Sequence, residues 1–246
     1  MASPSPILPA ATIILLREAG GAPEMLMVRR TRRMAFAAGA WVWPGGRIDD
    51  HDHTIEGAAP YQVAALRELV EEVGLAAALS PHPTAAQRRE LQSAFLGGAS
   101  VKDELDRHEL TLQPDKLLPF ARWAPNLDLK RRFDTWFLIA RADGDDTPLS
   151  LQEGEVAEAS WTTAAAMLDR IAAGEAHAIF PTMRNLERLA AFDTIEALFT
   201  DTAGRTVEKI VPWIEDRGGV EHICIPENAG YPVTAVPTEE AFRGEH

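Results

Sequence analysis

Nine consecutive residues, Arg67-Glu68-Leu69-Val70-Glu71-Glu72-Val73-Gly74-Leu75, constrain this chain more than any other stretch. Glu68, Glu71 and Glu72 stand at i, i+3 and i+4, so a helix of 3.6 residues per turn sets them on one face. Like charges at those spacings repel and cost the helix stability. A divalent cation relieves that cost, because hard cations take carboxylate oxygens. Arg67 lies four residues before Glu71, where a charge-assisted hydrogen bond can orient the carboxylate. Gly74 stands where a helix C-terminus prefers glycine. Upstream, Pro60 suits a first turn, and Val63, Leu66, Leu69, Val70 and Val73 recur at helical spacing. A helix over Tyr61–Val73 is then apolar on one side and acidic on the other. The plainer alternative is a solvated glutamate face on a surface helix.

Strands precede and follow this helix. Ala10–Leu16 is an apolar, isoleucine-rich run, and Glu24–Arg30 follows a Gly20-Gly21 turn, which predicts a hairpin. Trp41-Val42-Trp43 leads into Pro44-Gly45-Gly46, where glycine permits close backbone approach to a ligand. Leu117–Trp123, Phe133–Ala140 and residues 155–161 read as further strands. Between them, Thr84 with Gln87 makes a capping box for a helix over Ala85–Leu96. A shorter helix starts near Ser100, so residues 80–110 form a helical insertion, a candidate for part of a substrate wall or a homodimer contact. Thr162–Ala173 and Pro181–Ala191 read as helices, with a third capped by Asp193 and Glu196. Val207–Val211 and Glu221–Ile225 are strand candidates beyond. The alternation of strands and helices specifies α/β.

The order Gly-Gly … Arg-Glu-Leu-x-Glu-Glu-x-Gly-Leu resembles the signature of the Nudix hydrolases. That signature runs Gly, five residues, Glu, seven residues, then Arg-Glu-apolar-x-Glu-Glu-x-Gly-apolar. Its second half matches at Arg67, Glu68, Leu69, Glu71, Glu72, Gly74 and Leu75. In its first half, Gly46 to Arg67 is 21 positions (67 − 46) where the signature has 14, so seven residues are inserted. The position eight before Arg67 is Ala59 rather than Glu, with Glu56 as the candidate replacement. Asp49-Asp50-His51-Asp52-His53 falls in the excess and reads as a polar loop, with metal binding as the alternative.

The resemblance implies an α/β/α sandwich with a mixed sheet, the helical insertion and a helical C-terminal extension. It places a hydrolase domain over 1–200 and the extension, 201–246, packed on it. It implies a Mg2+ site (Mn2+ as substitute) made by Glu68, Glu71, Glu72 and a backbone carbonyl of Gly46 or Gly45. Glu68 is a ligand or the general base. Glu155, with Glu153 second, completes the metal site or acts as base; a solvent-facing glutamate is the alternative for either. Met34–Gly46 and Arg132-Phe133-Asp134-Thr135 also resemble the branch that includes peroxisomal coenzyme A diphosphatases. The substrate implied is a nucleoside diphosphate derivative, CoA or acyl-CoA, cut at its diphosphate. ADP-ribose, NADH and nucleotide sugars are alternatives, as is a non-catalytic ligand-binding module.

Charge supports a small anionic substrate over a polymeric one. A net charge of −13 argues against nonspecific nucleic-acid or anionic-membrane binding. Yet Arg29, Arg30, Arg32 and Arg33, four of only 24 basic residues, cluster just ahead of the glycine turn. Arginine forks match phosphate geometry, so Arg30, Arg32 and Arg33 are candidate phosphate contacts, against a solvated loop. Lys130-Arg131-Arg132 offers the same two readings. Cys224 is the only cysteine, which rules out an intramolecular disulfide and fits a cytoplasmic protein. No apolar run approaches the roughly 18 residues of a membrane span.

Overall fold

The computed structural model describes residues 6–34, 36–124, 132–142 and 148–242. Lys130 and Arg131 of the second basic run lie outside them. In chain order, β1 (Ile7–Arg17), β2 (Glu24–Arg30), β3 (Trp41–Val42) and β4 (Gly45–Arg47) precede helix α1 (Pro60–Val73). The short pair β5 (Leu79–Ser80) and β6 (Thr111–Leu112) brackets the insertion, which holds α2 (Ala85–Leu96) and α3 (Val101–Arg107). Then come β7 (Leu118–Trp123), β8 (Arg132–Arg141), β9 (Val156–Thr163), α4 (Ala164–Ala172), α5 (Phe180–Leu189) and α6 (Ile195–Ala203). The chain continues as β10 (Lys209–Ile210), β11 (Trp213–Asp216), β12 (Glu221–Cys224), β13 (Ala235–Pro237) and α7 (Thr238–Ala241).

Eight strands form one mixed sheet. β1 runs parallel to β8 from Ile7↔Arg132 to Leu16↔Arg141, and antiparallel to β4 and β2 on its other edge. Side chains alternate along a strand, so β1 feeds two cores. Ala11, Ile13 and Leu15 pack against Val63, Leu66, Leu69, Val70 and Val73 of α1, with Leu91 and Phe95 of α2 beneath. Ile14 and Leu16 face the opposite layer, with Trp123, Phe137, Met167 of α4, Leu186 of α5 and Leu198 of α6. Helices on both faces of a mixed sheet make the α/β/α sandwich. Leu66 and Leu69 are both 0% exposed, and truncating a leucine in such a place costs about 2–5 kcal/mol.

α1 has no capping side chain at Ala59. Instead Gln62 Oε1 accepts from the Ala59 N–H at 3.0 Å, and Gln62 Nε2 donates to the carbonyls of Pro114 and Leu117. At the other end Gly74 is left-handed (φ 70) and its N–H returns to Val70 O at 3.0 Å. The insertion braces this end: Gln92 Nε2 donates to Glu71 O at 3.0 Å and Ser150 O at 2.7 Å.

Two expectations are corrected. α6 is capped by Thr194, whose hydroxyl accepts from the Ala197 N–H, not by Asp193. The C-terminal extension is helical only through the end of α6 and the four-residue α7; between them β11, β12 and β13 form an antiparallel sheet. β10 joins β7 in the main sheet, and Ile223 and Val236 enter the second core.

Candidate active site

Arg67 is the centre of the acidic face. Its side chain is buried on α1, and all its nitrogens are engaged. Nε and Nη2 fork onto the Asp52 carboxylate at 3.1 and 3.0 Å, and Nη2 also donates to Arg47 O at 2.7 Å. Nη1 donates to Glu68 Oε1 at 2.8 Å and Glu71 Oε2 at 3.2 Å. Burial works against the guanidinium charge, but the Asp52 hydrogen bonds and the charges of Glu68, Asp52 and Glu71 outweigh it and raise the pKa.

Asp52 overturns part of the sequence reading. It is 0% exposed, sits in a single 3-10 turn over Asp50–His53, and accepts the Asp49 N–H at 2.8 Å. Glu56 is exposed and does not replace the missing glutamate. Counted forward from Gly46, past five residues, the acidic position falls on Asp52 (46 + 6), so the seven extra residues lie between Asp52 and Arg67. The segment read as a polar loop therefore contains the buried partner of Arg67. That forward count was the available signal.

The three glutamates experience different surroundings. Glu68 lies against Gly46, where a Cβ would stand 2.3 Å from its Oε1, so the glycine is needed for this approach. Burial pushes the Glu68 carboxyl up to about 7; Arg67 opposes the shift, and Glu71 and Glu155 add to it. Burial also raises Glu71, again against Arg67. Glu72 is 2% exposed and its Oε2 has no hydrogen-bond partner among the described residues. Its pKa is driven well above the usual range, first by burial and then by Glu68 and Glu155; Arg30 and the Gly45 N–H pull the other way.

A hard divalent cation fits this donor set. The ligand atoms are carboxylate oxygens, one of them orphaned, and burial, which Arg67 and Arg30 only partly offset, is the main cause of all three raised pKa values. As arranged here, Glu68 and Glu71 turn to Arg67, and among the described residues no three His, Cys, Asp or Glu side chains converge on one point.

A cavity of about 510 Å³ opens over the acidic face, within the range of small-molecule sites. Arg30, Gly45, Gly46, Arg67, Glu68, Glu71 and Glu155 line it, while Glu72 lies behind the glycine turn and off its surface. Glu155 immediately precedes β9 and its carbonyl accepts the Thr31 N–H at 2.8 Å. Glu153 is exposed and outside the lining. The β2–β9 register breaks between Arg29 and Arg30, a bulge of the kind that re-aims a side chain beside a site. Arg29 then pairs with Glu158, while Arg30 lines the cavity with Nε buried and unpartnered among the described residues. Arg32 and Arg33 are exposed and off the lining. Phe133, Thr135 and Phe137 of β8 line the cavity, so strand alternation turns Arg132 to the opposite face. The insertion contributes none of the lining residues, which corrects the expectation that it forms part of the wall.

The family model described as NUDIX domain matches residues 6–182. A relative from Caenorhabditis elegans, "Putative nudix hydrolase 7", is 26% identical over 181 residues, covering 74% of this chain and 60% of that protein. This chain therefore spans less than two thirds of that relative. The crystal structure of a NUDIX hydrolase from Alicyclobacillus acidocaldarius superposes with a TM-score of 0.69 at 27% identity, over 83% of this chain and 98% of that one. Among the described residues no helix is long and apolar enough to cross a membrane.

Proposed function

The chain belongs to the NUDIX domain family, and from that premise we propose that it is a divalent-metal-dependent hydrolase cleaving the diphosphate linkage of a nucleoside diphosphate derivative. The observation that carries this reading is the crowded carboxylate face of α1, buttressed by Arg67, at the wall of a cavity shared with Arg30 and Glu155.

Glu68, Glu71, Glu72, Glu155 and the Gly46 carbonyl (or that of Gly45) would hold Mg2+ or Mn2+. When bound, the ion screens the diphosphate charge, polarises a phosphoryl oxygen and lowers the pKa of water. The chain's own groups supply the rest. Arg67 fixes the rotamers of Glu68 and Glu71 and so pre-orients the ligand face. Arg30, with its unpartnered Nε, takes a substrate phosphate through charge-assisted hydrogen bonds. We assign that contact to Arg30 and not to the exposed Arg32 and Arg33 or to Arg132. Glu155 stands outside the Arg67 network and accepts the proton of the attacking water, with Glu68 the second candidate.

The preferred substrate in this reading is CoA or acyl-CoA, followed by ADP-ribose, NADH and nucleotide sugars. One assay tests it: these compounds are incubated with the protein and Mg2+, and the products are weighed by mass spectrometry. Two phosphomonoester products from at least one compound, with one oxygen drawn from water, are expected. No cleavage of any of them with Mg2+ or Mn2+ would favour a binding module without turnover.

A further inference from the structure

We propose that the chain beyond residue 182 builds an apolar subsite in this cavity, so that the preferred diphosphates carry an apolar group on one phosphate. The proposal rests on the diphosphate reading above for its polar end only. The cavity is one continuous space with two unlike ends. Its charged end comes from α1, the glycine turn, Arg30 and Glu155. Its other end is closed by Trp123, Phe133, Phe180, Pro212, Ile223 and Phe242. Three of these, Pro212, Ile223 and Phe242, lie past the end of the family match at residue 182. They lie outside the segment that the family model matches.

The added wall is anchored firmly. Trp123 Nε1 donates to the Tyr231 hydroxyl at 3.1 Å, and that hydroxyl donates to Asn185 Oδ1 at 2.7 Å. The rings of Trp123 and Tyr231 meet edge-on at 5.5 Å, and those of Trp123 and Phe180 at 5.8 Å. Ile223 and Tyr231 belong to the second core, so β12 and the loop after it are held by packing. A preformed wall binds without the cost of ordering it.

The chemistry of that end selects its occupant. Polar side-chain atoms are few there: the Thr135 and Thr182 hydroxyls, the Trp123 Nε1 already given to Tyr231, and the buried Trp43 Nε1. A phosphate, sugar or charged group placed against it would lose water and recover few hydrogen bonds. An aliphatic group gains instead, up to about fourfold in affinity per fully buried methylene. Phe242 is half-buried at the C-terminal end of α7, so it can be shortened without opening the core.

The test uses the full chain and ADP esterified on its β-phosphate with methyl, butyl or octyl alcohol. Each ester is titrated calorimetrically in chelator, where binding is read without turnover. Affinity is expected to rise with chain length, by at least about tenfold from methyl to octyl. Phe242→Ala should flatten that rise while leaving the methyl ester unchanged, and Phe242→Leu should restore most of it. A flat series in the unmodified protein, including no measurable binding by any ester, overturns the proposal. So does a rise of the same slope in Phe242→Ala. Hydrolysis of the methyl ester with Mg2+ is scored separately. Cleavage with a flat series removes only the apolar subsite, and a steep series without cleavage removes only the hydrolase reading.

Discussion

Glu68, Glu71, Glu155 and Arg30 close one end of the cavity; Trp123, Phe180, Ile223 and Phe242 close the other. The first end is assembled against electrostatic resistance. Of three carboxylates on two turns of one helix, Glu72 is buried and Glu68 and Glu71 are half-buried; all have raised pKa values, and one arginine offsets two of them. The second end is assembled with the grain of folding, from rings and aliphatic groups that gain by leaving water. The contrast teaches where function has been bought at the expense of stability. A fold does not bury Glu72 with an orphaned oxygen for its own sake.

Breaking the scaffold of the charged end has the largest effect. Asp52→Ala leaves Arg67 buried with its main partner gone, which should destabilise the protein by about 3–5 kcal/mol in urea unfolding. Glu56→Ala, at the exposed position the sequence suggested, should stay within about 0.5 kcal/mol. Equal losses at both sites would refute the assignment of Asp52.

Next comes the chemistry itself. Glu72→Gln removes a charge from a site short of cations, so turnover with Mg2+ should fall by about 10²- to 10³-fold. The same change relieves repulsion, so the melting temperature of the metal-free protein should hold or rise. Near-normal turnover would mean that α1 is not the catalytic helix.

A smaller effect is expected at Arg30. Arg30→Gln should raise KM about tenfold with kcat little changed, because phosphate contacts exist before the transition state. Arg32→Gln and Arg33→Gln should be close to neutral. A KM effect at either exposed arginine as large as that at Arg30 would move the phosphate contact out to the loop.

The mildest effect is that of pH on the metal-free protein. The Glu68 carboxyl sits at about 7 in the folded state against an ordinary value of 4.5. The native state therefore holds the proton more tightly than the unfolded chain. This contribution is complete below about 4.5 and is lost as pH rises through 7. Melting temperature in chelator should decline from pH 5 to pH 8, and Glu68→Gln should decline less. Carboxylates held low by arginine, such as the half-buried Asp201 by Arg205, act with the opposite sign and in a more acidic window. If Glu68→Gln tracks the unmodified protein across this range, Glu68 is not the titrating group.

The two ends were also unequally legible in the sequence. α1 declares itself because its signals are local: a proline at the first turn, apolar residues at helical spacing and a closing glycine. β2 was read to the residue, since a run of Met, Leu and Val is bounded by a turn. Asp52 escaped because the count ran backward from Arg67 through the inserted residues, where local pattern carries no information about burial. Of the β11–β13 sheet only β12 was read, as Glu221–Ile225; β11 and β13 escaped because strands of three or four residues are too short for a period of two to show. The apolar end had no local signature either. Its walls come from residues as distant as Phe36 and Phe242, and only tertiary packing brings them together. Arg30 differs from Arg32 and Arg33 by a bulge, which spacing alone does not reveal.

The central claim is that the α1 carboxylates form a cation site, and calorimetric titration with Mg2+ addresses it most directly. The unmodified protein should bind the ion, and Glu72→Gln should bind it at least about tenfold more weakly. Equal affinity in the two proteins, or no binding to either, would contradict the account.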